Sequence, residues 1–142
     1  MNLSLGISED LLRNGVNVRI TTRGSSMFPL IRTGDRITIS PEPHPKIGDV
    51  VVVRRNGAMV CHRLVKIFEK DGTIHYQTRG DTVSRVDDPI PQRELLGKVI
   101  KIDMMRPSLA RRILLLINPV IRRGRLNSVL LPALMKMRKT LS

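Results

Sequence analysis

Aromatic side chains are scarce in this chain, which has only Phe28, Phe68 and Tyr76 and no tryptophan. Proteins that bind single-stranded nucleic acid stack bases on aromatic rings, so a nucleic-acid-binding function is disfavoured. The single cysteine, Cys61, excludes an intrachain disulfide and a zinc site built on several cysteines. We predict no metal site and no cofactor.

Long apolar runs are also missing. No stretch reaches the roughly 18 apolar residues of a membrane-spanning helix. The N-terminus, Met1 to Ser4, has neither the basic nor the apolar segment of a secretion signal. We therefore expect a cytoplasmic protein without a spanning helix.

Acidic residues are few, with 12 Asp and Glu against 25 Lys and Arg and a formal net charge of +13. Such a charge favours a partner or surface that is negative. The length of 142 residues and the 41% hydrophobic content suit one modest core. We expect a β domain over residues 1–105 and a basic helical tail over 106–142.

Short apolar segments separated by tight turns predict a mainly β fold. Ser8 is expected to cap a short helix that ends before Gly15. Strands are predicted at about 16–21, 36–39, 50–53, 58–68, 73–77 and 95–102, with a polar loop at 80–91. The run Val50 to Val53 is typical of a strand buried on both faces, and Asn56-Gly57 and Asp71-Gly72 are hairpin signals. This pattern favours a barrel or a coiled antiparallel sheet.

The composition changes at Pro107, and no acidic residue follows Asp103. Two amphipathic helices are predicted, one after a Ser108 cap and one from Arg125 to Met137, separated by Pro119 and Gly124. The basic residues are Arg111, Arg112, Arg122, Arg123, Arg125, Lys136, Arg138 and Lys139. Two interpretations remain open: helices that cover one end of the barrel with a solvated basic face, or an amphipathic pair on an anionic membrane.

The segment from Gly24 to Pro29 is a turn that follows a predicted strand and carries the hydroxyl of Ser26. A serine hydroxyl becomes a nucleophile only when a nearby base takes its proton. Of the three histidines, His62 lies within a mostly apolar strand, where it is either a core group with satisfied hydrogen bonds or such a base. Cys61 is expected on the opposite face of that strand, as a small buried hydrophobe.

Several motifs occur in a recognisable order between Gly24 and Ile102: Ser26-Met27-Phe28-Pro29, Gly34-Asp35, Lys46-Ile47-Gly48-Asp49-Val50-Val51, His62-Arg63, Gly80-Asp81, Asp87 and Gly97-Lys98-Val99. Together they resemble the type I signal peptidase family, whose β fold is shared with the self-cleaving repressors of the SOS response. Many bacterial members carry a lysine at the position of His62. The resemblance is to the endoplasmic-reticulum and archaeal-like members, which carry histidine there.

The resemblance implies that Ser26 is the nucleophile and His62 the general base of a serine endopeptidase. Asp81 and Asp87 match the acidic residues that follow the base. Either could orient the imidazole; we favour Asp87 in that role, with Asp81 fixing the loop. The backbone N–H of Ser26 would stabilise the oxyanion. Gly24 stands where some members carry an additional hydroxyl donor, and Ser25 is expected to be a turn residue.

In this family an extended peptide binds by strand addition, which implies a groove near Met27, Phe28 and Pro29 and the strand from Val16 to Thr22. These residues could equally be ordinary core. Members that process secretory precursors usually carry an N-terminal anchor, which is not evident here. Either the basic tail replaces it or the substrate is not a translocated precursor. The alternatives to a peptidase are a non-catalytic peptide-binding module and a basic nucleic-acid-binding protein.

Overall fold

The computed structural model describes residues 3–123, with side chains described for residues 6–117. Its elements are helix α1 (Leu3–Arg13), strands β1 (Val18–Thr21), β2 (Arg36–Ser40), β3 (Val50–Arg55), β4 (Ala58–Lys70), β5 (Thr73–Arg79), β6 (Ile90–Pro91) and β7 (Leu95–Asp103), and helix α2 (Leu109–Arg123). The second predicted tail helix, from Arg125 to Met137, lies outside the described residues.

The seven strands form one antiparallel sheet in the order β1-β2-β7-β3-β4-β5-β6. The sheet curls into a half-barrel, and the prediction of a mainly β fold with a short N-terminal helix and a C-terminal helix is confirmed. Register shifts in the β2–β7, β3–β7 and β4–β5 pairs supply bulges, which increase twist and bend a sheet.

Strand β3 is buried on both faces, as its run of valines predicts. Val50 and Val52 pack in one apolar cluster with Leu12 of α1. Val51 and Val53 point to the other face and pack with Leu64 and Tyr76 of a second cluster. The sheet therefore has a core on each side of its central strand.

Helix α1 begins at Leu3, so the prediction that Ser8 caps it is wrong. Residues 3–7 contain no proline, and a single glycine lowers the stability of a helix by only about 1 kcal/mol. The helix can therefore begin before Ser8. Its end is as predicted, since Gly15 has a φ of 81°. The N–H of Val16 donates to the carbonyl of Leu11 at 2.9 Å, as in a Schellman cap.

The hairpin turns follow the sequence signals, whereas strand β6 departs from them. Asn56 and Asp71 have φ values of 49° and 50° and are each followed by a glycine with positive φ, the geometry that a two-residue hairpin requires. Ile90 and Pro91, predicted as loop, pair with β5. Pro91 is tolerated there because β6 is an edge strand.

Helix α2 starts as predicted, because the hydroxyl of Ser108 accepts the N–H of Arg111 at 3.2 Å. It continues past Pro119 to Arg123, where the sequence analysis expected a break; a proline removes one backbone hydrogen bond and can kink a helix without ending it. Within the part of the chain that the structure describes, no helix is both long and apolar enough to cross a membrane.

Candidate active site

Ser26 lies in a long loop whose two ends are tied together. The loop leaves β1 and returns to β2, and the N–H of Thr22 donates to the carbonyl of Asp35 at 2.8 Å. In the other direction the N–H of Gly34 donates to the carbonyl of Thr22 at 2.9 Å. Gly24 has a φ of 92°, a conformation that glycine adopts without strain. The two hydrogen bonds close the base of the loop, and Ser26 lies in its first half.

The side chain of His62 connects Ser26 to Asp87. Its Nε2 is 3.1 Å from the Oγ of Ser26, and its Nδ1 is 2.7 Å from the Oδ2 of Asp87. The side chains of His62 and Asp87 are 13% and 19% exposed. Three groups from a loop, a strand and a second loop therefore form one continuous hydrogen-bonded row.

Asp87 is held in place by strand β5. The hydroxyl of Thr78 donates to Oδ2 of Asp87 at 2.6 Å. The N–H of Asp87 donates to the carbonyl of Thr78 at 2.8 Å, and the side-chain amide of Gln77 donates to the carbonyl of Asp87 at 3.3 Å. Thr78 is fully buried and was missed by the sequence analysis. The sequence did indicate it: Thr78 is two positions after Tyr76, so it lies on the same face of the strand as that core residue, where a polar side chain needs a partner.

Asp81 contacts Arg63 and not His62. The guanidinium of Arg63 donates to both carboxylate oxygens of Asp81, each at 2.8 Å, and also to the carbonyl of Gly48 at 2.6 Å. Both side chains are nearly buried, and bidentate pairs of this kind are strong and directional. Asp81 therefore ties the loop after β5 to β4. The sequence places Arg63 in a mostly apolar strand, and a charged residue at such a position indicates a buried ion pair.

The loop that carries Asp81 packs directly against the loop of Ser26. The N–H of Thr82 donates to the carbonyl of Ser26 at 2.9 Å. A Cβ placed on Gly80 would lie 2.9 Å from that same oxygen and 3.0 Å from the Cβ of Ser26. Glycine at this position lets the two loops approach closely.

Ser25 and Gly24 have structural contacts on the exposed side of the turn. The carbonyl of Ser25 accepts the N–H of Phe28 at 3.1 Å, and the carbonyl of Gly24 accepts the hydroxyl of Thr33 at 2.9 Å. These bonds hold the backbone on either side of Ser26.

A cleft of about 610 Å³ opens beside Ser26. Apolar side chains form much of its wall: Ile20, Val52, Met59 and Cys61 from the strands and Met27 from the loop. Arg19 and Arg23 also line it. Strand β1 lies at one edge of the sheet, so its outer side is unpaired among the described strands. An extended peptide could pair with this edge while a side chain enters the cleft.

The three residues that follow Ser26 differ in what they can contact. Met27 is 3% exposed and belongs to the first core cluster, with part of its surface in the cleft wall. Phe28 is half-buried. Pro29 is fully buried, so its side chain is not available to a ligand.

Cys61 and His62 lie on opposite faces of β4, in keeping with strand alternation. Cys61 is partly buried and packs against the first core cluster. Burial, with the negative charge of Asp81, raises the pKa of its thiol to about 12. The thiol is therefore protonated at neutral pH and is not a competing nucleophile.

Arg111 of α2 lies beneath the loop of Ser26 and is only 2% exposed. The expectation that Arg111 is one of the tail's exposed or membrane-facing basic residues is wrong, because Arg111 forms a buried ion pair with Asp35. Its Nη1 donates to Oδ1 at 3.1 Å, and its Nε donates to the carbonyl of Pro29 at 2.9 Å. A further N–H donates to the carbonyl of Leu30 at 2.8 Å. The tail is thus joined to the loop that carries Ser26.

Comparison with protein-family models matches residues 5–100 to a family described as Peptidase S24-like. The match confirms, at the level of this family, the resemblance drawn from the sequence, since the family covers both signal-peptidase-like enzymes and self-cleaving repressors. The family also includes non-catalytic members. No curated protein matches the chain significantly.

Proposed function

Because the chain belongs to the Peptidase S24-like family, we propose that it is a serine endopeptidase that cleaves an extended leader or signal-like peptide. In this proposal Ser26 is the nucleophile, His62 the general base and Asp87 the residue that orients His62. The observation that supports it most directly is the row of hydrogen bonds from Ser26 through His62 to Asp87.

The proposed reaction starts with neutral His62, whose Nδ1–H donates to Asp87. As the Oγ of Ser26 attacks the peptide carbonyl, Nε2 takes the hydroxyl proton and later delivers it to the leaving amine. The backbone N–H of Ser26 is the proposed donor to the oxyanion. Water, activated by the same imidazole, then hydrolyses the acyl-enzyme and regenerates Ser26.

The roles proposed for the two aspartates differ because their contacts differ. Asp87 reaches Nδ1 of His62, so it would hold the tautomer that leaves Nε2 free to accept a proton. Asp81 is paired with Arg63 at 2.8 Å, so it would fix the loop that carries Asp87 without taking part in proton transfer.

The substrate is proposed to bind as an added strand along β1. The unpaired edge supplies backbone donors and acceptors, and the apolar cleft beside Ser26 would hold one side chain next to the cleaved bond. Of the residues predicted to contact substrate, Met27 and residues 19–22 line the cleft.

Labelling with a serine-directed acylating probe tests this proposal without a known substrate. We expect modification of the wild-type chain at Ser26, located by mass spectrometry, and loss of that modification in Ser26→Ala and His62→Ala. Ser25→Ala is the matched control, because Ser25 is the exposed neighbouring hydroxyl and should not affect labelling.

Two results would count against the peptidase. Labelling that persists in Ser26→Ala would place the reactive group elsewhere. A wild-type chain that binds peptides but is never labelled would instead indicate a binding module on the same fold.

A further inference from the structure

Helix α2 presents its apolar stripe to the outside of the molecule. Leu109, Ile113, Leu116 and Ile117 follow one another at helical spacings of four, three and one residues, so they share one face. They are 74%, 50%, 77% and 41% exposed, respectively. A surface helix ordinarily turns such a stripe toward its own core, so this face is unpartnered among the described residues.

The orientation of α2 is set from its other side. Arg111 is buried against Asp35 and against the carbonyls of Pro29 and Leu30, and Leu114 and Leu115 are half-buried. Rotating the helix to cover the stripe would remove the cation from a buried carboxylate, which is strongly unfavourable. The ion pair therefore holds the apolar stripe outward.

The charged residues that follow Asp103, which include all those of α2, have one sign. Arg106 and Arg112 are exposed, Arg122 and Arg123 lie in the last turn of the helix by sequence, and no acidic residue follows Asp103. An apolar stripe flanked only by cations complements an anionic lipid surface, where the side chains enter the interface and the cations meet the headgroups.

The same charges disfavour other ways of covering the stripe. In a symmetric dimer each copy would meet the same face, which would bring arginines together with no carboxylate from the helix to pair with them. Residues 124–142 are also basic and contain no acid. We propose that the exposed face of α2 is a docking surface for an anionic membrane.

Docking of this kind would leave the loop of Ser26 on the other side of α2, facing away from the lipid. Arg111 bonds to Pro29 and Leu30, which follow Ser26 in the same loop. The membrane inference rests on α2 and not on catalysis, so Ser26→Ala should bind vesicles as the wild type does. Failure of vesicle binding and failure of Ser26 labelling are therefore distinguishable.

Vesicle flotation of the full chain tests the inference. We expect the wild type to float with phosphatidylcholine vesicles that contain phosphatidylglycerol, and not with phosphatidylcholine alone. The combined variant Leu109→Gln, Ile113→Gln and Leu116→Gln should bind anionic vesicles at least tenfold more weakly, because glutamine keeps helix propensity while removing apolar area. Circular dichroism would check that the helix is retained.

The control variant makes the same kind of substitution, from an exposed apolar residue to glutamine, outside α2. Ile47 and Ile100 are 63% and 55% exposed outside α2, and the double variant Ile47→Gln and Ile100→Gln should float as well as the wild type. The inference is overturned if the α2 variant binds as tightly as the wild type, or if the wild type does not float. Loss of a wild-type dimer in the α2 variant, without vesicle binding, would assign the face to a second copy instead.

Discussion

Asp87 and Asp88 are neighbouring carboxylates with different surroundings. Asp87 touches His62 and Thr78, whereas Asp88 is exposed and lies 3.9 Å from Arg85. The contrast comes from the path of the loop, which returns toward β5 at Asp87. Only one of the two carboxylates can therefore influence the imidazole directly.

We predict that Asp87→Asn slows acylation of Ser26 by about 10²–10⁴-fold, with little change in folding. The asparagine amide would offer a donor toward Nδ1 and favour the tautomer that puts the proton on Nε2. The measurement is the rate of probe labelling under single-turnover conditions. Asp88→Asn is the control and should keep the wild-type rate; equal slowing in both variants would contradict the role of Asp87.

The side chain of Asp35 is one of the links between helix α2 and the loop of Ser26. Asp35 accepts from Arg111, from the N–H of Arg32 at 2.9 Å and from the N–H of Met105 at 3.2 Å. The carboxylate thus joins the loop, the segment after β7 and α2. Arg111 belongs to the tail in the sequence, but in the folded protein it supports the loop that carries Ser26.

We predict that Arg111→Met lowers the free energy of unfolding by about 3–5 kcal/mol, because it leaves the buried carboxylate of Asp35 without its cation. Urea denaturation followed by circular dichroism would measure it. Arg112→Met removes the adjacent exposed arginine and should change stability by less than about 0.5 kcal/mol. Similar midpoints for the two variants would show that the ion pair contributes little.

The free energy of unfolding depends on pH, because the fold lowers the pKa values of two carboxylates. Burial alone would raise the pKa of Asp35, but hydrogen bonds from Arg111 and from the N–H groups of Arg32 and Met105 outweigh it and lower the pKa. The pKa of Asp49 is lowered in the same way: the N–H of Lys46 and the ammonium of Lys98 outweigh its burial. The folded state therefore binds these protons less readily than the unfolded chain does.

We predict that the wild type keeps this contribution to stability above about pH 4 and loses it progressively as the pH falls from there through the lowered pKa values. In Arg111→Met the pKa of Asp35 should rise, so the loss between neutral and acidic pH should be smaller. Urea midpoints measured across that range would test this. Parallel pH profiles for the wild type and the variant would contradict the assignment to Asp35.

The architecture of the sheet was largely predictable because it follows from local pattern. The valine run predicted a strand buried on both faces, and Asn56-Gly57 and Asp71-Gly72 predicted two hairpins. The errors fell where local preference was weak: Ser8 lies inside a helix, and Ile90 and Pro91 form an edge strand. Ser8 is helical because the helix begins earlier, at Leu3, and Ile90 and Pro91 are a strand because they pair with β5.

Ser26 and His62 were candidates from the sequence because the order of motifs around them resembles that of a known family. The segment Gly24 to Pro29 alone would not have distinguished a candidate nucleophile from an ordinary turn residue. Which aspartate meets His62 was not determined, since Asp81 and Asp87 are close in sequence and either could reach it. The fold separates them: Arg63 takes Asp81, and Thr78 holds Asp87 against the imidazole. The burial of Arg111 could not be predicted either. A basic residue in an amphipathic helix is usually exposed, and only the fold brings the distant Asp35 into contact with it. Local sequence thus determined the strands and the candidate groups, whereas contacts between residues far apart in the chain decided which groups meet.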